Sequence, residues 1–276
     1  MSAMAAPARP TAVATGTRVA AVGLLTGWGE GPDALPADAM RAAAGRDVIA
    51  LAPPALRSER FRRATRECLL GVAAVEALLR AAALGRDDVR GSETALVYVT
   101  TAAYGASNVA FVEATAGGTL HFPYTAPSAV PAEVAIEFGL TGPYLILLGG
   151  PAAAIDALWQ ATRLLEGRGC ERVLVLAVET FAECEGLWIR GRRLVRGPLV
   201  EAAACALLVP GGFAASYTAP AEAAPLETLA RRRAGETLAC EPLVALALSA
   251  QMRARGPLAL SGRWRGRRAG LAWTAA

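Results

Sequence analysis

The side chains able to do chemistry in this sequence are few and scattered. Cys68, Cys170, Cys184, Cys205 and Cys240 are odd in number, far apart and never spaced Cys-x-x-Cys, which is the pattern of reduced thiols packed as small hydrophobes. His121 is the one histidine, and all 28 basic residues are arginine. Without lysine there can be no Walker lysine and no pyridoxal Schiff base, and a single imidazole cannot build a multi-histidine metal site. No metal and no cofactor are therefore expected. Cys184 lies between Glu183 and Glu185, a setting that raises a thiol pKa, whereas Cys170 follows Arg168-Gly169 and has a basic flank. His121 has no cysteine or carboxylate near it in sequence and reads as a surface or packed residue.

One stretch has the form of a catalytic mount. Gly139 to Leu158 reads as a turn, an apolar strand, a glycine-rich elbow and a helix. Such an elbow presents a nucleophile on a sharp turn at the positive end of a helix. Here it carries Gly149, Gly150 and Pro151, none of which can attack a substrate, and no Gly-x-Ser-x-Gly occurs elsewhere in the chain. Gly27-x-Gly29-x-Gly31 resembles a dinucleotide fingerprint only superficially, because the third glycine comes one residue early and Pro32 and Pro36 prevent an immediate helix.

The elements around the elbow follow from apolar periodicity. Arg18 to Leu25 is a first strand entering a glycine turn, and a long helix is expected from about Ser58, a plausible N-cap, to Leu84, stopped by Gly85. Thr94 to Thr101 is β-branched and aromatic and predicts a strand; Ala102 to Thr115 is helical in its second half. Pro127-Ser-Ala-Val-Pro131 opens a helix that ends at Phe138 and Gly139. Tyr144 to Leu148 is a continuous apolar run of the kind buried on both sheet faces. A helix over 151–166, a strand over 172–179 and an antiparallel return strand over 202–209 come next. Residues 211–234 read as loop, 237–252 as a helix with Pro242 in its first turn, and 257–273 as a hairpin around Arg265-Gly266. The alternation predicts an α/β layered fold, a mixed, mainly parallel sheet with helices on both faces.

Composition sets wider bounds. A 54% apolar content excludes general disorder, and no run of 18 apolar residues is present to cross a membrane. Residues 1–16 read as a loose leader without an apolar signal core, and a cytoplasmic protein is expected. The net charge of +4 comes with arginine clusters at 57–66, 190–196, 231–233 and 263–268, which read as solvated faces.

The order and spacing of several segments resemble the N-terminal half of β-ketoacyl synthases, enzymes of the thiolase fold that extend acyl chains on acyl carrier protein. The resemblance is carried by Arg18 to Gly29, the arginine-led helix ending Ala83-Leu-Gly85, Pro127 to Pro143 with its Gly-Leu-Thr-Gly-Pro, and Ala153 to Leu158 followed by Arg172 to Glu179. It implies a thiolase-like domain over 17–276, made of a ketosynthase-like half over 17–210 and an abbreviated helix and hairpin over 211–276. It also implies that Pro151 stands where the family carries an acylated cysteine. The family's two histidines and lysine in the C-terminal half have no counterpart here.

Acyl transfer needs a thiolate, and decarboxylation needs imidazoles to handle developing charge. The resemblance therefore implies a catalytically silent, chain-length-factor-like subunit that forms a heterodimer with an active β-ketoacyl synthase and reaches acyl carrier protein through it. Tyr144, Leu145, Ile146, Leu147 and Leu148 would be the dimer strand, and Tyr104, Phe111, Phe122 and Tyr124 would lie near the partner's acyl tunnel as pocket or gate candidates. Two other readings stay open: an acyltransferase or esterase with an unrecognised serine or cysteine nucleophile, and a basic nucleic-acid-binding protein. The last ranks lowest because the arginines sit on unconnected segments.

Overall fold

The structure is a computed structural model that describes residues 16–56, 59–113, 122–190, 197–252 and 257–275. In chain order the elements are β1 (Thr17–Thr26), β2 (Gly29–Glu30), α1 (Ala39–Ala43), β3 (Val48–Ile49), α2 (Arg66–Ala82) and β4 (Thr94–Thr100). They continue with α3 (Gly105–Glu113), α4 (Ala129–Phe138), β5 (Tyr144–Leu148), α5 (Pro151–Glu166), β6 (Arg172–Glu179), α6 (Glu185–Arg190) and β7 (Leu199–Val200). The last are β8 (Ala202–Pro210), β9 (Phe213–Thr218), α7 (Pro225–Ala234), α8 (Glu241–Gln251), β10 (Leu258–Trp264) and β11 (Arg267–Ala275).

A six-stranded sheet of order β2–β1–β8–β6–β4–β5 forms the centre. β4 pairs in parallel with β5 and β6, while β8 runs antiparallel to both β6 and β1. The strands β1, β4, β5 and β6 thus share one direction, as the alternating pattern predicts. Along each central strand successive side chains enter different cores. Val173, Val175 and Ala177 of β6 join one cluster with Val97 and Val99, while Leu174, Leu176 and Val178 join the other with Leu96 and Tyr98. The second cluster is closed by α2 and α4 through Leu70, Val75, Leu78, Val134 and Phe138. The first is closed by α5 and α8 and, beyond them, by Leu260, Leu271 and Trp273 of a three-stranded sheet, β10–β11–β9. Helix, sheet, helix and sheet are stacked in that order.

Three expectations are corrected. The long helix begins at Arg66, because Thr65 is extended and caps it, and Glu59–Arg63 forms a separate 3-10 turn; Ser58 lies outside the described residues. Its C-cap is Ala83 in the left-handed region (φ 54°), two residues before Gly85. The stretch 211–234 holds β9 and α7 where a loop was expected. β9 is short, carries two alanines and a serine between Phe213 and Tyr217, and pairs with β11, and α7 is a polar helix started by Pro225. β5 is the sheet's edge, and no described strand pairs with its outer side. Tyr144, Leu145 and Leu148 are therefore 42, 37 and 55% exposed, where burial on both faces was expected. Residues 1–15, His121, Arg57, Arg192, Arg193 and Arg196 fall outside the described residues.

Many of the remaining arginines are spent on internal pairs. Arg66 at the start of α2 reaches Glu183 (2.8 Å), the carbonyl of Leu51 and the carboxylate of Glu201, which lies between β7 and β8 and is fully buried. Glu201 also accepts the backbone N–H groups of Leu51 (2.7 Å), Phe181 (2.6 Å) and Ala182 (2.7 Å), so one carboxylate fastens three segments. Burial alone would raise its pKa, but these bonds and Arg66 outweigh it and hold the pKa below the usual carboxylate value. Arg66→Ala strands a buried charge, with an expected loss of about 3–5 kcal/mol in urea-unfolding free energy. Glu183→Ala, which removes only the more exposed partner, is expected to cost under about 1 kcal/mol.

Candidate functional site

The elbow sits where the parallel strands end. Gly149 (φ 149°) donates its N–H to the carbonyl of Thr100 (2.9 Å) and accepts the hydroxyl of Thr101 (3.2 Å), which ties the ends of β4 and β5 together. Gly150 is the N-cap of α5, and its carbonyl accepts the N–H groups of Ala153 (2.9 Å) and Ala154 (3.2 Å). Pro151 is the first residue of the helix and is buried. Its missing N–H costs nothing there, because the first helical N–H groups lack intrahelical partners.

Strand β10 lies directly over this turn. A Cβ built on Gly150 would fall 2.5 Å from Cδ2 and 2.6 Å from Cε3 of Trp264, so the indole rests on the glycine. A Cβ on Gly262 would fall 2.5 Å from the carbonyl oxygen of Pro151 and 2.9 Å from its Cβ. Two glycines, one on each side of the contact, let the hairpin touch the elbow.

All five cysteines are buried and unpaired. Burial pushes the Cys68 thiol up to about 12 and also raises those of Cys184, Cys205 and Cys240. Cys170 is raised as well, by burial first and then by Glu93, so its basic flank in sequence does not activate it. Ser107 donates to buried Glu67 (2.7 Å); Ser261, which precedes Gly262 on β10, donates to Glu227 and accepts the N–H of Ala224 (2.6 Å); and no imidazole lies among the described residues.

The aromatic candidates divide. Phe111 and Phe122 pack together with ring centroids 5.9 Å apart, and both are exposed. Asn108 holds that pair's framework by donating from Nδ2 to the carbonyls of Tyr104 (2.8 Å) and Thr125 (3.0 Å). Tyr124 turns inward against the α2–α4 cluster, and Tyr104 is half-buried at the start of α3. Val112, beside Phe111, is 80% exposed and, with Asn108, Val109 and Glu113, lines a shallow 230 Å³ depression.

A model of the β-ketoacyl synthase N-terminal domain matches residues 51–191, half of the 276-residue chain. The chain belongs to the β-ketoacyl synthase family. No curated protein matches it. Among solved structures it is similar to the ishigamide ketosynthase/chain length factor, with a TM-score of 0.69 at 15% identity over 94% of this chain and 99% of that one. It is also similar to a type II polyketide synthase acyl-carrier protein in complex with its hexaketide-bound ketosynthase (TM-score 0.70, 14% identity, 95% and 99% covered). A ketosynthase in complex with its chain length factor from Xenorhabdus doucetiae matches at a TM-score of 0.60 and 14% identity, over 94% and 99%. These likenesses show a shared thiolase-like fold.

Within this family member, sequence reasoning missed Glu179, Glu201 and Trp264. Glu179 ends β6 fully buried. It accepts the N–H groups of Thr101 (2.6 Å), Ala102 (3.3 Å) and Ala239 (3.3 Å), joining the turn after β4 to the start of the C-terminal helices. Its signal was a lone carboxylate closing an otherwise apolar strand. Burial outweighs these bonds and pushes its pKa up to about 7, and burial likewise carries Glu241, beside Arg231, to about 8. Between the unfolded value of 4.5 and those values the native chain holds protons that the unfolded chain has released, so stability falls as pH rises through that window. Glu201 is shifted the other way and titrates below it, so its contribution there is constant. Each such proton contributes a slope of about 1.4 kcal/mol per pH unit at most. The urea midpoint is expected to drop from about pH 5.5 to about pH 8.5, and Glu179→Gln is expected to flatten that drop.

Proposed function

We propose that this chain is a catalytically silent ketosynthase-like subunit, of the chain-length-factor kind, that pairs with an active β-ketoacyl synthase through the outer edge of β5. The observation that carries this reading is the edge itself: Tyr144, Leu145 and Leu148 stand exposed on β5, whose outer side no described strand pairs, in a sheet whose strands β4, β6 and β8 are buried along nearly their whole length. An apolar edge of that kind is a template for another chain. The empty elbow supports silence, since Pro151 stands at the position that the family resemblance assigns to the acylated cysteine and no other described residue replaces it. Two of the structural relatives are named as ketosynthases with a chain length factor, which supports the kind of pair.

In this reading residues 17–276 act as one thiolase-like unit. The exposed Phe111–Phe122 pair follows the end of β4, the neighbour of β5, and shapes or truncates the acyl pocket of the partner during polyketide, aryl-polyene or fatty-acid-type synthesis. Acyl carrier protein meets the pair through the active subunit. No described helix is long and apolar enough to cross a membrane, in keeping with a cytoplasmic assembly. Within the arginine clusters, Arg66, Arg231, Arg267 and Arg268 are tied to Glu183, Glu201, Glu241, Glu227 and Asp156, so these four charges are engaged inside the chain.

The test is co-expression with an active β-ketoacyl synthase from the same source organism. The two are expected to co-purify, and Leu145→Asp combined with Leu148→Asp is expected to weaken the complex about a hundredfold or more. Both side chains are exposed in the single chain, so its own stability should change by under about 1 kcal/mol. Condensation of malonyl and acyl carrier substrates by this chain alone would overturn the silent reading.

A further inference from the structure

Pro151 need not mark a vacant active site. Open α/β sheets leave a crevice beyond the carboxyl ends of their parallel strands, and that is where ligands enter. Here the crevice at the ends of β4, β5 and β6 is crossed by β10, with Trp264 on Gly150 and Gly262 on Pro151. We propose that the β10–β11 hairpin is a built-in plug, with Gly262 and Trp264 filling the chamber over the elbow that an acyl group would occupy, so that no acyl chain enters this subunit's own site.

Three independent features fix the hairpin in that place. Its turn is two residues long, with Arg265 (φ 48°) and Gly266 (φ 85°) both left-handed, the geometry of the tightest hairpin connections. Arg267, immediately after the turn, grips Asp156 of α5 with two bonds of 2.6 and 2.9 Å and donates to the hydroxyl of Tyr217 (2.7 Å), which itself donates to Asp156 (2.6 Å). Asp156 lies on the helix that the elbow starts, so elbow and plug are clamped to one rigid element. Trp264 also packs against a buried hydrophobic cluster of Phe181, Leu199 and Leu238, with Trp188 edge-on to Phe181 at 4.9 Å.

The inference takes its meaning from the assignment of Pro151 to the family's nucleophile position, but it is read by access and is independent of pairing. Because all five native cysteines are buried, a thiol placed at the elbow can be followed alone. The Pro151→Cys chain is expected to alkylate with iodoacetamide at least about tenfold more slowly than the Pro151→Cys/Trp264→Ala chain, with circular dichroism showing both folded. Equal rates in the two chains would overturn the plug. Should Pro151→Cys fail to fold, Trp264→Ala in the otherwise native chain serves instead. A butyryl thioester of N-acetylcysteamine is then expected to raise its melting temperature saturably and to leave the native chain's unchanged. The same shift in both proteins, or in neither, would sink the proposal. Loss of pairing in the β5 variants leaves both readouts untouched, so the two ideas fail separately.

Discussion

Helix α5 has a sheet on each side, and that double burial sets the terms for the rest of the molecule. A helix packed on two faces cannot carry a wide polar stripe, and its contacts must be short. Ala152, Ala154, Ala157 and Ala161 are all buried on it, together with Ile155 and Leu158. Small residues let both sheets approach at interior packing density without voids. At the N-terminal end the approach is closest, and there the side chains vanish altogether: Gly150 faces an indole and Gly262 faces Pro151. An added Cβ at either glycine would overlap ring or backbone atoms at under 3 Å, a contact that forces the hairpin away. The same tightness explains why a reactive side chain has no room at this elbow. A nucleophile needs space for its substrate as well as a turn to stand on.

The chain's exclusive use of arginine fits an architecture in which segments are fastened by buried carboxylates. Arg66 serves Glu201, Glu183 and a backbone carbonyl, Arg231 serves Glu241 with Glu227 and Glu236 nearby, and Arg267 serves Asp156 and Tyr217. A planar guanidinium with five donors can satisfy several acceptors at once, whereas an ammonium is a point charge that is more strongly hydrated. The Arg66 and Arg267 hubs lie where chain segments 135 and 111 residues apart converge, so their loss costs more than one ion pair on the surface would. Charge clusters that look solvated in the sequence are, in space, the cross-ties.

The sequence was most informative where burial is one-dimensional. β1, β4, β6 and β8, the helix over 151–166 and the hairpin around Arg265-Gly266 follow from apolar runs, period and turn residues, and the structure has them within a residue or two. The elbow, too, could be read, because glycine and proline punctuate regardless of context. What could not be read depends on partners far along the chain. β9 has only a short strand signal, Phe213, Tyr217 and Thr218 around two alanines and a serine, and its pairing is with β11 about 55 residues on. The start of α2 at Arg66 follows from an extended Thr65, and Arg66 finds its carboxylate 135 residues away. Trp264 lies over 110 residues from the glycine it covers, and no periodicity connects them.

β5 exposes the limit of such reading more sharply. Its residues are as apolar as those of β6, which is buried along nearly its whole length, yet β5 stands at the edge with three side chains open. The apolar pattern is that of a strand covered on both sides, and the single chain supplies only one neighbour, β4. Exposed edges are ordinarily blunted by charge, proline or a bulge, and within Tyr144 to Leu148 there is none of these. The elbow has no reactive group and is packed shut, so chemistry does not account for keeping this segment apolar. In the proposed pair, a second chain whose own edge completes the sheet accounts for it physically. In that arrangement the filled elbow and the open edge are complementary: the first keeps substrate out of this subunit, and the second holds it against one that works.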